Sequence, residues 1–407
     1  MKVVEAIARI LKIEGAEFLG AYPTTPVAEA AARAEIRPVL CRQERVGVGI
    51  ADGYARVTNG KKLAAFCMQY GPGAENAFPG VATAYSDSTP MLLLPLGHPR
   101  DRAQVFPLFS SARTFASVTK GVETITQGSQ VADVMRRAIS LMRMGRPGPT
   151  MVEIPADVVS EEVSDALVDA YRPVKTTVAG ANARDVEAAA RVLREARRPV
   201  IHAGQGVLYA EASAGVVGVA ELPQAPGLAP PGGQDAFPED HPLALGTGGP
   251  SVTGPTLHYL READVVLGIG CSFTRHGMAA SIPTGKTIIH ATNDERDLNK
   301  SYVADHPLLG DARLVLRHLV EAVRSLGGRP AGRGSVGADL VRVLVASDGN
   351  VGVVVEDGQA AVRLPPNEHR LFRAEQDAQR CLQALRPAVD GAQRCLGPVL
   401  GPDDFAG

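Results

Sequence analysis

The apolar residues of the first 165 positions follow two alternating patterns. Between segments of helical spacing lie short, nearly continuous apolar runs, at 17–21, 38–41, 63–68, 91–94 and 151–155. Helices are predicted between them at 27–35, which is rich in alanine, and at 44–59, which is rich in small residues. The first helix has apolar residues at helical spacing, namely Val3, Ile7, Ile10 and Leu11. This alternation predicts strands separated by helices, and therefore a parallel sheet that is covered on both faces.

A second unit of the same kind is predicted further along the chain. A helix at 183–196 precedes the predicted strands, which lie at 199–203, 265–269 and 287–290. The segment 223–250 is rich in glycine and proline and is predicted to be a long loop. The unit closes with a helix that follows Asp311 and ends near Leu326.

The predicted fold class is α/β, with two doubly wound parallel-sheet domains and an irregular C-terminal tail. We expect the domains to span 1–165 and 183–325, with a linker around 171–182. The tail, 326–407, opens with a run of glycine, proline and arginine, and a strand is predicted at 351–355. The rest of the tail has weak hydrophobic periodicity, so we expect it to pack poorly.

Composition narrows the function classes. The net charge of the 407 residues is −2, so no broad positive surface is expected to attract nucleic acid. No apolar run approaches the ~20 residues of a membrane helix, and the amphipathic first helix is unlike a signal peptide. The five cysteines are sparse and odd in number, which favours reduced thiols in the cytoplasm.

The strongest chemical pattern begins at Glu44, where a short predicted strand meets a helix rich in small residues. The turn Gly71-Pro72-Gly73 follows the next buried strand, and Asn76 lies in the helix after it. Ligands of open α/β sheets usually bind at the carboxyl ends of the strands. Each piece also has a purely structural interpretation, because Glu44 favours the helix dipole, the glycines form a turn and Asn76 is typical of a helix start.

Together these pieces resemble the pyrimidine-binding domain of thiamine-diphosphate enzymes of the acetolactate synthase type. The resemblance rests on a fixed order, at 44–90, of Glu, Gly-Tyr-Ala-Arg, Gly-Pro-Gly-Ala-x-Asn and Ala-Tyr-x-Asp-x-x-Pro. In that family the residue matching Glu44 hydrogen-bonds the aminopyrimidine and favours the imino tautomer that deprotonates the thiazolium carbon. The resemblance implies that Glu44 is catalytic and that the cofactor is the electron sink for a 2-keto acid.

The resemblance also implies contacts to cofactor and substrate. It assigns cofactor binding to Pro23, Thr24, Glu44, Gly71, Pro72, Gly73 and Asn76. Residues after Pro99 influence substrate choice in the family, which makes Gln104 and Phe106 candidate substrate residues from a neighbouring subunit. A polar loop residue and a packing aromatic residue are equally good interpretations of these two.

Residues 183–325 resemble the family's central domain, which binds FAD or a nucleotide in some members and is empty in others. Gly204-Gln205-Gly206 is an incomplete dinucleotide fingerprint, because Tyr209 stands at its third glycine. An empty structural domain is therefore expected, and FAD is not favoured as a cofactor. Three histidines are expected to be loop or strand-end residues rather than ligands, namely His202, His241 and His290.

A complete member of the family has a third domain in which Gly-Asp-Gly and a later Asn bind the Mg²⁺ of the cofactor's diphosphate. The nearest equivalents here are Asp348-Gly349 and Asp357-Gly358, and the only later Asn, Asn367, follows them too closely. We interpret both pairs as turns and assign no metal ligand. The tail is also too short for a third doubly wound domain, so it is a candidate remnant of that domain.

Three hypotheses of function follow. The first is carbon–carbon bond chemistry on 2-keto acids, acetolactate synthase-like or decarboxylase-like, with thiamine diphosphate and Mg²⁺. Under this first hypothesis we expect a homodimer or homotetramer, and a partner chain could supply the diphosphate-binding domain. The second is a non-catalytic remnant, or a regulatory or dimerising subunit that keeps the fold. The third is a nucleotide-binding oxidoreductase built on 204–206, which an absence of NAD or FAD binding would eliminate.

Overall fold

The computed structural model describes residues 1–327 except positions 24, 104, 250, 251, 276 and 278, and also the backbone of 352–356 and 359–363. The chain divides into two compact units, Met1–Val178 and Ala179–Gly407. Each unit is built around its own parallel sheet of six strands. The predicted fold class, α/β with two doubly wound parallel sheets, is therefore confirmed.

The first unit alternates strands and helices along the chain. Its strands are β1 (Phe18–Ala21), β2 (Arg37–Leu40), β3 (Ala65–Met68), β4 (Leu92–Gly97), β5 (Gly121–Thr124) and β6 (Thr150–Pro155). Its helices are α1 (Val3–Ile13), α2 (Pro26–Arg33), α3 (Glu44–Val57), α4 (Pro72–Ser86), α5 (Ser111–Phe115), α6 (Val131–Arg143) and α7 (Asp165–Asp169).

The strand order of the first sheet is β2-β1-β3-β4-β6-β5, and all neighbours are parallel. The chain moves from β1 to one side to form β2 and then to the other side to form β3. The crevice between the carboxyl ends of β1 and β3 is thus the switch point at which such sheets usually bind ligands.

Alternate side chains of β4 show why this sheet is buried on both faces. Leu92 and Leu94 pack with α1, α2 and α6 on one face, whereas Met91, just before the strand, and Leu93 pack with α3, α4 and α5 on the other. All four are fully buried. Burying one such side chain contributes about 1.5–3 kcal/mol, so the two layers of helices fix the sheet that carries the switch point.

The second unit repeats this architecture. Its strands are β7 (Pro199–Ala203), β8 (Gly227–Ala229), β9 (Ala244–Thr247), β10 (Val265–Ile269), β11 (Thr287–Thr292) and β12 (His306–Leu309). Its helices are α8 (Ala183–Glu195), α9 (Gln205–Tyr209), α10 (Ser213–Glu221), α11 (Gly254–Glu262) and α12 (Ala312–Ser325). The strand order is β12-β11-β10-β7-β8-β9, again parallel, so the switch point lies between β7 and β10.

The prediction of one long loop at 223–250 was wrong, because β8 and β9 lie within it. Gly227 is the reason that no strand pattern was visible there. The ring of Phe237 covers the place where a side chain of Gly227 would stand, so a glycine is buried in a strand without an apolar side chain of its own. Hydrophobic periodicity cannot report such a strand, since the covering group comes from elsewhere in the chain.

In the tail the structure describes one antiparallel pair, β13 (Gly352–Glu356) with β14 (Gln359–Arg363). The predicted strand at 351–355 is thus confirmed for 352–355, and Val351 lies outside the described residues. The Asp-Gly pairs at 348 and 357 and Asn367 also lie outside them. Within the described part of the chain, no helix is both long and apolar enough to cross a membrane.

Candidate functional site

Glu44 lies beside the switch point of the first sheet. The chain leaves β2, and Gln43 adopts an extended conformation before Glu44 begins α3. A carboxylate in the first turn of a helix is stabilised by the helix dipole. However, Glu44 is only 5% exposed, and such burial is costly unless the carboxylate accepts hydrogen bonds.

Asn76 supplies such a hydrogen bond. Its Nδ2 donates to Oε2 of Glu44 at 2.7 Å, from the second turn of the neighbouring helix α4. Of the residues predicted from the sequence to bind cofactor, Asn76 is therefore brought directly to Glu44. Its helix-start interpretation does not hold, because Gly71 is the residue at the start of α4 and Pro72 is the first helical residue.

The turn Gly71-Pro72-Gly73 brings backbone against the carboxylate. Gly71 has φ +60° and ψ −117°, a conformation that side chains disfavour, and Pro72 suits the first helical position. A Cβ atom on Gly73 would lie 3.1 Å from Oε1 of Glu44 and 2.6 Å from Cγ of Gln69. The predicted turn is thus confirmed at Gly71 only, because Pro72 and Gly73 already belong to α4, and Oε1 lies beside a position that has no side chain.

Two thiols near this point are held neutral. Burial raises the pKa of the Cys41 thiol, and the negative charge of Glu44 raises it further. Burial also raises the pKa of Cys67, which follows Phe66 on β3. Neither thiol is activated as a nucleophile, because activation requires a lowered thiol pKa. Glu44, and not a thiol, is thus the side chain that this arrangement singles out for chemistry.

Other residues of the sequence pattern have structural roles. Arg56 donates to both carboxylate oxygens of Asp52 at 2.7 and 3.1 Å and to Asp87 at 2.8 Å, which ties α3 to the end of α4. A Cβ on Gly47 would lie 2.7 Å from Cζ of Phe66, so this glycine lets α3 pack closely on β3. These residues fix the position of the helix that carries Glu44.

Two aromatic rings that the sequence reasoning did not select also lie at this edge. Tyr70 follows β3 and His98 follows β4, and their ring centroids are 4.7 Å apart. Tyr70 is 42% exposed and His98 is half-buried. The signal that could have found them is their position immediately after adjacent parallel strands.

The remaining predicted residues are not gathered at Glu44. Pro23 lies in the turn after β1 and lines a surface hollow together with Pro38 and Leu40. Phe106 is 93% exposed, in the loop after β4. Thr24 and Gln104 lie outside the described residues.

The switch point of the second unit is closed by backbone packing. A Cβ on Gly206 would lie 2.8 Å from Cα of Gly270, and one on Gly204 would meet the carbonyl oxygen of Gly270. Gly206 N–H also donates to that oxygen at 2.8 Å. The helix after Gly204, α9, has only five residues. These glycines therefore allow the segment after β7 to pack closely against Gly270, which supports a structural role for 204–206.

The three predicted strand-end or loop histidines of this unit are placed as follows. His202 lies in β7 and His290 in β11, and burial lowers the pKa of His202 to about 4 and also lowers that of His290. His290 Nε2 donates to the carbonyl of Cys271 at 2.9 Å. His241 lies in a loop, where its Nδ1 accepts from the backbone of Leu243. Both buried imidazoles are neutral at pH 7.

Comparisons with known proteins identify both units. Residues 1–127 match the family model described as thiamine pyrophosphate enzyme, N-terminal TPP binding domain. Residues 186–319 match the model of the thiamine pyrophosphate enzyme central domain.

Individual relatives agree with these matches. A probable acetolactate synthase large subunit of Methanocaldococcus jannaschii is 33% identical over 341 residues, which cover 80% of this chain and 57% of the relative. An acetolactate synthase isozyme 3 large subunit of Escherichia coli is 31% identical over 70% of this chain and 50% of its own length. A glyoxylate carboligase of Escherichia coli O157:H7 is 30% identical over 82% of this chain and 57% of its own length.

The chain thus spans between half and three fifths of the length of these relatives. Both family matches coincide with parallel-sheet units found in the structure, and Glu44 lies in the first of them. This chain belongs to the thiamine pyrophosphate enzyme family, of which it carries the N-terminal TPP binding domain and the central domain.

Proposed function

We propose that this chain supplies the pyrimidine-binding half of a thiamine-diphosphate site in an enzyme that makes or breaks carbon–carbon bonds of 2-keto acids. Residues 1–165 form the binding domain in this proposal, and 183–325 form the central domain. Relatives named as acetolactate synthase and as glyoxylate carboligase support this reaction class. The single observation that carries the proposal is the buried carboxylate of Glu44 beside a sheet switch point.

The residues around Glu44 fit an aminopyrimidine. Glu44 offers one carboxylate oxygen, Oε1, at a place where Gly73 has no side chain to stand between it and a flat ring. When bound, thiamine diphosphate supplies an electron sink for bond cleavage or formation next to a carbonyl. Glu44 holds a proton at its carboxyl group and shares it with a ring nitrogen. Burial excludes water and strengthens that hydrogen bond.

The diphosphate half has no ligand set in the described part of the chain. Among the described residues, no group of three or more His, Cys, Asp and Glu side chains is arranged to hold a metal ion. From the resemblance to the family, we assign the phosphate and Mg²⁺ ligands to a partner chain in this proposal. FAD in the central domain is not part of the proposal, because Gly204 and Gly206 pack against Gly270.

One face of α3 supports self-association as a homodimer or homotetramer. Gly49 and Gly53 have no atom within 4 Å of an added Cβ, and on the same face Val46 is 54% and Val57 82% exposed. Glycine weakens a helix interior, so exposed glycines between exposed valines suit close approach by a helix of another subunit.

The cysteines suit a reducing compartment such as the cytoplasm. Among the described residues three cysteines are free and buried, namely Cys41, Cys67 and Cys271.

The first test is calorimetric titration of the purified chain with thiamine diphosphate and Mg²⁺. Ligand-observed NMR with thiamine accompanies it, because thiamine carries the aminopyrimidine without phosphates. We expect the chain to bind both compounds and Glu44→Gln to weaken binding at least tenfold. Glu75→Gln is the matched control, since Glu75 is an exposed carboxylate in α4.

The proposal is overturned if the wild-type chain binds neither compound. It is also overturned if Glu44→Gln binds them as tightly as the wild-type chain does. The exposed face of α3 would then favour the second candidate, a non-catalytic dimerising subunit. Sedimentation velocity of the wild-type chain and Gly53→Glu decides that candidate. A dimer that the substitution dissociates is the expected result, and a monomeric wild-type chain would exclude it.

A further inference from the structure

The two oxygens of Glu44 have different surroundings. Oε2 accepts a hydrogen bond from Asn76 Nδ2 at 2.7 Å. Oε1 faces the backbone of Gly73, at 3.1 Å from the position that a Cβ would occupy. The carboxylate is therefore asymmetric before any ligand binds.

Asn76 is needed for this asymmetry because a glutamate carboxyl group turns easily about its last torsion, whose energy profile is broad. The amide of Asn76 holds one oxygen and so fixes the carboxylate plane. Asparagine is also a poorer residue than alanine inside a helix, and Asn76 lies in the second turn of α4. Helix stability does not explain why an asparagine stands there.

The chemical type of the donor matters as well. An amide N–H₂ donates hydrogen bonds without carrying a charge, whereas lysine or arginine would form an ion pair. A full positive charge beside Glu44 would hold the carboxyl group in its ionised form. Asn76 instead orients the group and leaves it able to take up and release a proton.

We infer that Asn76 is a positioning residue for Glu44 and not itself a cofactor contact. It occupies Oε2 and leaves Oε1 as the oxygen that carries the shared proton toward the aminopyrimidine nitrogen. This inference rests on the proposed function for the role of the ring, and on the Asn76–Glu44 contact for the role of the amide. Gly73 completes the arrangement, because a side chain there would contact the free oxygen.

The test uses NMR of the full chain labelled with ¹³C at the glutamate carboxyl carbon. The resonance that disappears in Glu44→Gln belongs to Glu44. We expect it to move in Asn76→Ala and in Asn76→Asp, which keeps the shape of the side chain but not the donor. Thr83→Ala is the control on the same helix, because its hydroxyl bonds only the backbone of Pro79 among the hydrogen bonds described. It should leave the resonance in place.

Thiamine titrations of the same variants supply the second readout. Asn76→Ala and Asn76→Asp should both weaken thiamine binding at least tenfold, and Thr83→Ala should not change it. Restored binding in Asn76→Asp would show that only the shape of the side chain matters and would overturn the inference. An unmoved Glu44 resonance in Asn76→Ala would overturn it too. A moved resonance in a chain that binds no thiamine would overturn the proposed function and leave the positioning contact established.

Discussion

The two units are both parallel sheets of six strands with a switch point beside their first strand, but they differ in strand order and in what lies at that point. In the first, the crevice between β1 and β3 is bordered by a buried carboxylate, Glu44, and by the turn at Gly71. In the second, the equivalent crevice between β7 and β10 is closed where Gly204 and Gly206 pack against Gly270. The fold alone therefore does not indicate a ligand site, and the residues at the strand ends decide whether one exists.

The units also differ in the ionisable groups that they bury. The first buries two carboxylates with donors: Glu44 is bound by Asn76, and Glu14 is bound by Arg143, Tyr171 and the backbone of Val174. The second also buries two carboxylates, Asp294 and Asp297, which pair with Arg296 and Lys300. Unlike the first unit, it buries two histidines as well, His202 and His290, each with an Nδ1 atom that has no partner among the described residues. Burying a carboxylate is costly unless donors hold it, whereas a histidine can become neutral and so needs fewer partners.

The largest expected change in stability concerns Glu14, the buried carboxylate of the first unit that accepts more hydrogen bonds. The Glu14 side chain is fully buried, and Glu14→Ala leaves the 16%-exposed Arg143 and two further donors without their acceptor. We expect a loss of about 3–5 kcal/mol in the free energy of unfolding, measured by urea denaturation with circular dichroism. Glu29→Ala, which removes an exposed i,i+4 pair with Arg33, should cost no more than about 0.5 kcal/mol. Equal effects of the two substitutions would contradict the comparison.

The next effect tests the neutral histidines of the second unit. Burial lowers the pKa of His202 to about 4, from an ordinary value near 6.5, and the neighbouring His290 lowers it further. The unfolded chain therefore binds the proton first, and the free energy of unfolding falls as the pH drops from about 6.5 to about 4. His202 alone accounts for about 3 kcal/mol of this loss, which is complete below the folded pKa.

Urea denaturation at pH 7 and pH 4 measures this contribution. His202→Gln should reduce the acid-induced loss of unfolding free energy by about 3 kcal/mol, whereas His258→Gln, at an exposed position, should leave it unchanged. If wild-type and His202→Gln chains lose the same stability on acidification, His202 is not buried as a neutral group. The stated difference between the buried groups of the two units would then not hold for the second unit.

The smallest effect compares the two switch points directly. Gly206→Ala places a Cβ 2.8 Å from the backbone of Gly270, which cannot yield cheaply, so we expect a loss of about 1–3 kcal/mol. Gly73→Ala meets side-chain atoms of Gln69 and Glu44 rather than backbone, so its stability cost should be smaller than that of Gly206→Ala. It should nevertheless shift the Glu44 carboxyl resonance. Denaturation and NMR of both variants measure these effects.

Gly218→Ala is the control for both substitutions. An added Cβ there meets only the side chain of Val320, at an ordinary contact distance of 3.5 Å, so the alanine should stabilise α10 by about 0.5–1 kcal/mol. A stability loss in Gly73→Ala as large as that in Gly206→Ala would mean that both switch points are closed by packing. The distinction between an open and a closed crevice would then have to be abandoned.

Local pattern accounts for most of what the sequence predicted correctly. Apolar runs and helical spacing lie within one element, so they predicted five strands of the first sheet and three of the second, but not β5, β8, β9 or β12. The turn at Gly71 and the helix that starts at Pro72 were predictable for the same reason, because backbone preferences of glycine and proline are local. β8 escaped this logic, since Phe237 supplies the apolar cover that Gly227 lacks.

The sequence by itself determined that Glu44 stands where a strand meets a helix, in a pattern that resembles one enzyme family. Only the tertiary structure decided which residues reach it. Asn76 is 32 positions from Glu44 and contacts it because α3 and α4 pack side by side, and Gly206 meets Gly270 because β7 and β10 are neighbours in the sheet. Strand order and helix packing are set by the cooperative burial of whole faces, and no single segment of the sequence carries that information.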